Sequence, residues 1–288
     1  MDVKVSPSAA IETPSGKGAT DENFPVGSRL IAPHLRPHVA IFYAFARAID
    51  DIADNPALAP ADKITRLDAF AAVVAGGDAG PGLEKAVRMR ESLAATAVPP
   101  RHCLDLVSAF KQDAVKSRYA NWDELMDYCD RSAAPVGRYL LDLHGESRDL
   151  WPANDALCNS LQVINHLQDC ADDYRAMDRV YLPQDWMAEA GADVSDLAEA
   201  RLSPGLRRVL DRCVEGCRLL NQRARALPAG LESRRLAAES AVILEIARRL
   251  TARLAREDPL AGRVVLGRTA LAGAGIAGLL NLILGRYR

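Results

Sequence analysis

The sequence has few aromatic residues and no excess of either charge. Phe, Trp and Tyr make up 5% of the chain, although hydrophobic residues reach 49%. That balance favours a large helical fold that is packed with aliphatic side chains. The formal net charge is −2, so the overall charge gives no attraction for nucleic acid. We therefore expect an all-α protein without a nucleic-acid partner.

Several sequence signals are also missing. No Gly-rich phosphate loop and no GxGxxG motif after a strand is present, so we expect no nicotinamide cofactor such as NADPH. The six cysteines form no CxxC pair, which favours small core residues in a reducing cytoplasm. The N-terminus does not show the basic-then-apolar pattern of a secretory signal. These absences predict a cytoplasmic protein.

The last apolar run, residues 269–284, is shorter than the roughly 20 residues that span a bilayer. Arg268 and Arg286 bracket it. This pattern favours a buried C-terminal helix, and the alternative is a shallow contact that makes the protein peripheral to the inner membrane.

The chain shows one change of composition, near its start. Residues 1–20 are polar and rich in Ser, Gly, Pro and Thr, which predicts disorder. Residues 21–288 show no further break and no useful strand-like alternation, so we expect a single helical domain. Predicted helices cover about 37–54, 60–76, 83–96, 100–117, 153–176, 203–226, 231–256 and 262–284, with another that begins near Asn121.

One predicted helix carries an acidic and amide-bearing face. Gln162, Asn165, Asp169 and Asp173 are spaced three, four and four residues apart, which places them on one side of a helix. Two carboxylates one turn apart repel each other, but they suit a hard divalent cation. The alternative is a solvated acidic surface.

A second acidic helix lies more than a hundred residues earlier. Asp50 and Asp54 are four residues apart, and Arg47 precedes Asp50 by one turn. If the two helices face each other across a cavity, they would hold Mg²⁺ between them. Because Mg²⁺ prefers a few carboxylates together with phosphate oxygens, the expected ligand is a diphosphate.

The helix that begins near Asn121 meets Pro135 and Gly137. These residues predict either a kinked helix that lets a ligand approach its backbone or a simple break between two helices. Arg138 is a candidate phosphate ligand there, although such an arginine is more often a surface charge.

Taken in order, these motifs resemble the squalene and phytoene synthase family from Asp21 to the C-terminus. The first aspartate motif matches at Tyr43, Arg47, Asp50, Asp51 and Asp54. The central signature matches at Arg118, Tyr119, Tyr128, Cys129, Ala133, Val136 and Gly137. The second aspartate motif matches at Gln162, Asn165, Asp169 and Asp173, followed by residues 179–183.

The resemblance implies an isoprenoid-synthase-type helical bundle around a central cavity. It implies Mg²⁺ ligands at Asp50, Asp51, Asp54, Asn165, Asp169 and Asp173. It implies catalytic roles for the aspartates Asp50, Asp54, Asp169 and Asp173, together with Tyr43 and Arg47. It implies substrate contacts at Phe24, Arg47, Ala133, Val136, Gly137, Arg138, Gln162, Asn165 and Gln168.

Two positions depart from the family pattern, because Asp21 replaces a frequent Ser and Gln168 replaces a frequent Arg. Both changes remove a diphosphate-handling group and weaken the case for joining two prenyl diphosphates. Residues 22–28 and 164–170 resemble the bacterial subgroup of hopanoid biosynthesis, which converts presqualene diphosphate and water to hydroxysqualene without a reductant. The alternatives are a head-to-head prenyltransferase and a non-catalytic, membrane-associated assembly partner. Other hopanoid-pathway enzymes are the expected protein partners.

Overall fold

The computed structural model describes Ile11 and residues 31–287, and the described chain is almost entirely helical. The all-α fold class is therefore confirmed. Phe24 and the predicted disordered segment 1–20, apart from Ile11, lie outside the described residues. The contacts divide the described chain into two compact units: residues 33–116 form the first, and 31–32 with 117–287 form the second. The prediction of one domain around a central cavity stays a prediction.

The first unit consists of four helices in its described part. Their bounds are α1 Arg36–Asp54, α2 Pro60–Val74, α3 Glu84–Thr96 and α4 Arg101–Asp113. Helix α1 packs against all three of the others and buries Phe45, Ile49 and Ile52 completely. Phe45 contacts Phe70 of α2 with ring centroids 5.9 Å apart. This apolar packing fixes the rotation of α1 and so leaves its acidic residues on the opposite side.

The second unit is larger and is centred on helix α7. Its helices are α5 Trp122–Ser132, α6 Ala134–His144, α7 Trp151–Gln168, α8 Cys170–Met177, α9 Gln184–Ala190, α10 Pro204–Arg223, α11 Ala226–Gly230, α12 Arg234–Leu254 and α13 Arg268–Ile283. Short 3₁₀ helices occur at Arg148–Leu150 and Val194–Ala198. Helix α7 packs against α5, α6, α10 and α12, so its central position explains why eleven of its residues are buried.

The second unit also contains a very short parallel sheet. Strand β1, Arg118–Tyr119, pairs with strand β2, Val180–Pro183. All four residues of β2 are buried, so the strand shows no polar–apolar alternation for sequence reasoning to detect. The pairing brings the rings of Tyr119 and Tyr181 together at 5.5 Å.

Polar side chains cap the first turns of two helices, α5 and α10. The side chain of Asn121 accepts a hydrogen bond from the backbone N–H of Glu124, and that of Ser203 accepts one from Leu206. Pro204 then occupies the first turn of α10, where its missing N–H carries no cost.

Two predicted helices are interrupted. The helix near Asn121 ends at Ser132, and a new helix begins at Ala134, so the break is observed and not a kinked continuous helix. The helix predicted over about 153–176 divides into α7 and α8 at Asp169, whose φ of −108° and ψ of 8° leave the helical region. The prediction of one continuous helix was wrong at that residue.

The expectation of a buried C-terminal helix was also wrong for one side of α13. The helix packs on α12 and buries Ala274 and Gly278, but it leaves several large aliphatic side chains exposed. Among the described residues, no helix combines the length and apolar character required to cross a membrane.

Candidate active site

In the first unit, Arg47 organises the acidic end of α1. Its Nη1 lies 3.1 Å from Oδ2 of Asp50, and its Nη2 lies 2.8 Å from Oδ1 of Asp51. Asp51 is buried, whereas Asp50 and Asp54 are only partly buried. The i, i+3 and i, i+4 spacings allow one guanidinium to reach both carboxylates. Asp51 therefore fixes Arg47, while Asp50 and Asp54 lie nearer the solvent.

The pKa of the Asp50 carboxyl group is strongly perturbed. Burial, followed by the neighbouring charge of Asp54, raises this pKa to about 7, and Arg47 lowers it by less than these two causes raise it. Asp51 and Asp113 add to the same effect. Such crowding of carboxylates is costly for folding, and a divalent cation would relieve it.

Asp113, the last residue of α4, was missed by the sequence analysis. It is buried and contributes to the negative potential at Asp50. The available signal was its position on the buried face of α4, four residues after Ala109, where an acidic side chain is unusual.

In the second unit, the residues of the second motif share one partly exposed face. Gln162, Asn165, Asp169 and Asp173 are all half-buried, whereas Val163, Ile164 and Leu167 are buried behind them. The break at Asp169 does not disperse the set, since Asp169 N–H donates to the carbonyl of Asn165 at 3.0 Å. Asp173 N–H donates in turn to the carbonyl of Asp169 at 2.8 Å. The face thus continues from α7 into α8.

Asp169 is held by an arginine that the sequence did not connect to it. Arg263 places Nε 2.7 Å from Oδ1 and Nη2 2.9 Å from Oδ2, a two-point ion pair. The next residue, Val264, is buried, and its carbonyl accepts a hydrogen bond from the side chain of Gln168. The segment between α12 and α13 is therefore anchored directly on the α7–α8 junction. No sequence signal links positions 94 residues apart.

Gln168 is buried by this contact, so the structure gives it a role in packing. Its contact with substrate stays a prediction.

Helices α6 and α7 approach closely at Gly137. A Cβ atom on Gly137 would lie 2.0 Å from Oδ1 of Asn154, so any larger residue would require Asn154 to move. One residue on, Arg138 forms a two-point ion pair with Asp155, at 2.8 Å and 2.6 Å, and lies over the ring of Trp151. These contacts give Gly137 and Arg138 a role in the packing of α6 against α7. Substrate contacts by Ala133, Val136, Gly137 and Arg138 stay predictions.

An aromatic cluster supports the other side of α7. The rings of His166 and Tyr181 stack at 3.5 Å between centroids, and Tyr119 and Tyr128 complete the group. Burial lowers the pKa of His166 to about 3, and Arg179 contributes to that shift. His166 is therefore neutral and packed, and its Nε2 lies 3.1 Å from Nε2 of Gln162.

The carboxylates of the two acidic motifs suit Mg²⁺ better than a metal ion whose ligands all come from the protein. Within the described ranges, no three His, Cys, Asp or Glu side chains form a cluster that would hold a metal ion alone. Mg²⁺ requires less, since it is usually bound by one or two carboxylates with water and phosphate oxygens as the remaining ligands. Asp50 with Asp54, and Asp169 with Asp173, are pairs of this kind.

Comparison with known proteins agrees with these motifs. The family model described as squalene/phytoene synthase matches residues 18–270. The chain is 44% identical to a hydroxysqualene synthase from Zymomonas mobilis, over 91% of this chain and 90% of that protein. It is 46% identical to a hydroxysqualene synthase from Rhodopseudomonas palustris, over 90% of this chain and 88% of that protein.

Solved structures show the same fold. Squalene synthase HpnC from Alicyclobacillus acidocaldarius is 31% identical, with a TM-score of 0.70 over 80% of this chain and 87% of that one. A dehydrosqualene synthase in complex with a ligand is 18% identical, with a TM-score of 0.75 over 92% and 93% of the two chains, and supports the fold alone. Because the family model spans most of the sequence and the aligned relatives cover nine tenths of it, the chain belongs to the squalene/phytoene synthase family.

Proposed function

We propose that this protein is a hydroxysqualene synthase, which converts presqualene diphosphate and water to hydroxysqualene and diphosphate. The observation that carries the proposal is the similarity to three hydroxysqualene synthases, at 42% to 46% identity over about nine tenths of the chain. An enzyme of this class breaks a C–O bond, and the bonding electrons leave with the diphosphate. Water then forms the new C–O bond and releases a proton, so no electrons are exchanged with a cofactor.

The residues at the two motifs suit the first of these steps. Departure of diphosphate concentrates negative charge on its oxygens, and a bound divalent cation, in our proposal Mg²⁺, would neutralise that charge. Asp50 and Asp54 would supply oxygen donors for a cation in the first unit, and Asn165, Asp169 and Asp173 would do so in the second. Arg47 supplies a fixed guanidinium beside Asp50, because Asp51 holds it in place. Tyr43 lies one turn before Arg47 on α1 and completes the proposed catalytic set.

The decisive experiment supplies presqualene diphosphate and Mg²⁺ without NADPH and identifies the lipid product by mass spectrometry. Hydroxysqualene with stoichiometric diphosphate is the expected result. Asp54→Asn and Asp173→Asn should lose diphosphate release by several orders of magnitude, because each removes a metal ligand. Asp78→Asn, in an exposed loop, is the matched control and should keep full activity.

A chain-joining prenyltransferase is the second candidate, because the solved relative at 31% identity is named a squalene synthase. Incubation with farnesyl diphosphate separates the two functions. Formation of presqualene diphosphate or squalene from that substrate would favour the prenyltransferase. A non-catalytic assembly partner would release no diphosphate from either substrate.

The proposed reaction also suggests where the protein works. Substrate and product both carry a C30 hydrocarbon chain, which is poorly soluble in water. We therefore propose a cytoplasmic enzyme that contacts the inner membrane at its surface and passes its product to other enzymes of hopanoid biosynthesis.

A further inference from the structure

Helix α13 is apolar all round, but the described part of the chain covers it on one side only. Its inner side packs against α12 so closely that a Cβ atom on Gly278 would lie 2.7 Å from the carbonyl oxygen of Ala241. On the outer side, Ile276 is 62% exposed and Ile283 is 79% exposed. Leu271, Leu279 and Leu280 are also exposed. A helix that is hydrophobic on every side requires a second apolar environment.

Four of the exposed side chains form a continuous stripe. Residues 276, 279, 280 and 283 follow the i, i+3, i+4, i+7 spacing of one helical face. Large contiguous exposed apolar patches mark sites that contact another protein or a membrane. At 16 residues, α13 is too short to span a bilayer, and its inner side is already occupied. The remaining geometry is one in which α13 lies parallel to a surface and contacts it through its outer side.

The charges within the C-terminal segment that contains this stripe are of one sign. Residues 259–288 contain four arginines and neither Asp nor Glu. Arg268 begins α13 and Arg286 follows its end, so an exposed cation lies at each end of the helix. Arginine side chains can lie along an apolar surface and extend their charge to the headgroup level.

A basic cleft meets the carboxyl end of α13. Three arginines line it, and Arg225 connects it to the helix, since its Nη2 donates to the backbone carbonyl of Arg286 at 2.7 Å. The cleft has a volume of about 330 Å³ and is lined by Arg218, Asn221, Gln222, Arg225, Arg248, Thr251 and Ala252. Glu215 and Glu245 pair with Arg218 and Arg248, which leaves the cleft with a positive balance.

We propose that the outer face of α13, with the arginines at its two ends, docks on an anionic phospholipid surface. The apolar stripe enters the headgroup boundary, while the cations bind lipid phosphates. The inference rests on the proposed function in one respect, because a C30 substrate is most accessible from a bilayer. A second copy of this chain is a poorer occupant, since either orientation brings arginines together with no carboxylate in residues 259–288 to pair with them.

The test measures co-sedimentation of the full chain with vesicles, without substrate or metal. Vesicles of phosphatidylglycerol and phosphatidylcholine should bind the protein, and pure phosphatidylcholine vesicles should bind it far less. Ile283→Ser should weaken binding roughly tenfold, because it removes most of an aliphatic side chain that the lipid would bury. Arg268→Gln should weaken binding about fivefold at low salt and less at high salt. The matched controls are Val115→Ser and Arg88→Gln in the other unit, which should bind like the wild type.

Urea unfolding of each variant shows whether the fold is intact, and these exposed positions should leave it unchanged. Equal binding by Ile283→Ser and wild type would overturn the proposal, as would equal binding to pure phosphatidylcholine. A dimer in sedimentation that disappears in Ile283→Ser, without lipid binding, would assign the face to a second copy instead. Hydroxysqualene formation in detergent micelles is measured separately, so failure of docking and failure of the proposed reaction are distinguishable.

Discussion

At the scale of the residue, the ionised side chain of Asp50 destabilises the folded state, because it lies on the crowded acidic face of α1. Its pKa of about 7 in the folded chain exceeds the ordinary value of 3.8, chiefly because of burial and the charge of Asp54. The folded state therefore binds more protons than the unfolded state between these pH values, and its stability falls as pH rises through them. Above about pH 7 the carboxyl group is ionised in the folded state, and the full energetic cost of its charge is present.

The first prediction is that Asp50→Asn stabilises the metal-free protein at pH 8 and has much less effect at pH 4. We expect a gain of about 2 kcal/mol at pH 8, which allows for the part of this side chain that reaches solvent. Urea unfolding at the two pH values measures it, and Asp78→Asn is the control. A loss of stability at pH 8 would contradict the account of Asp50 as a strained, metal-seeking carboxylate.

His166 has the opposite dependence. Its pKa of about 3 in the folded chain lies below the ordinary value of 6.5, mainly because the ring is buried against Tyr181. The neutral ring contributes stability above pH 6.5, and that contribution is lost as pH falls towards 3.

We predict that acid destabilises the wild type more than His166→Gln, by about 2 kcal/mol on going from pH 7 to pH 5. The reason is that glutamine does not charge in the unfolded chain. Free energies of unfolding at several pH values give the slope for each protein. His34→Gln, at an exposed position, should keep the wild-type slope. Parallel slopes for wild type and His166→Gln would refute the assignment.

At the scale of the element, the connection between α12 and α13 places a cationic side chain on the second aspartate motif, where it competes with a metal ion. The two-point ion pair from Arg263 neutralises Asp169, and the hydrogen bond from Gln168 holds the adjacent Val264. A cation that binds Asp169 must overcome that pairing, because the same two oxygens are engaged.

The third prediction is that Arg263→Gln tightens the binding of Mg²⁺ alone about fivefold. That change corresponds to about 1 kcal/mol, the typical value of a partly exposed ion pair. Isothermal titration without diphosphate measures the affinity. Arg256→Gln, an exposed change in the same connection, should leave it unaltered. Weaker or unchanged binding in Arg263→Gln would show that the arginine does not compete with the metal.

The close packing of α6 against α7 depends on the absence of a side chain at Gly137. The fourth prediction is that Gly137→Ala destabilises the protein by about 2 kcal/mol, because the new methyl group would overlap Asn154. Combining it with Asn154→Ala should recover part of the loss, and a double-mutant cycle of unfolding free energies measures that coupling. Gly275→Ala, where a Cβ meets nothing within 4 Å, should instead stabilise α13 slightly. Additive effects of Gly137→Ala and Asn154→Ala would exclude the clash.

These elements also show which features of the fold and of the candidate site could be predicted from the sequence. The 3.6-residue period gave α1, α10 and the face of Gln162, Asn165 and Asp169 correctly, because one side of each helix is buried. It missed the break at Asp169, since the residues on both sides keep a helical pattern. It missed Arg263 and Asp155 as ion-pair partners, because tertiary pairing leaves no local pattern. It also misread α13, whose uniform apolar character does not say which side is covered.

At the scale of the whole molecule, each compact unit carries its own acidic motif and its own arginine. Arg47 pairs with Asp50 and Asp51 in one unit, and Arg263 pairs with Asp169 in the other. The carboxylates are therefore partly compensated before any cation or substrate binds, which lets the metal-free chain fold.

The last prediction concerns the origin of the product oxygen. If diphosphate departs with the electrons of its C–O bond, the carbon is left as a cation, and the hydroxyl oxygen must come from a second source. Water is the nucleophile in the proposed reaction, and the proton it loses balances the charge. In ¹⁸O-labelled water, hydroxysqualene should therefore carry the label fully, while the released diphosphate should carry none. Direct attack of water on phosphorus would instead label the diphosphate and leave the alcohol unlabelled. Mass spectrometry of both products distinguishes these outcomes, and NADPH should change neither the labelling nor the rate. Squalene formed on addition of NADPH would show that the cation is reduced and would overturn the proposed reaction.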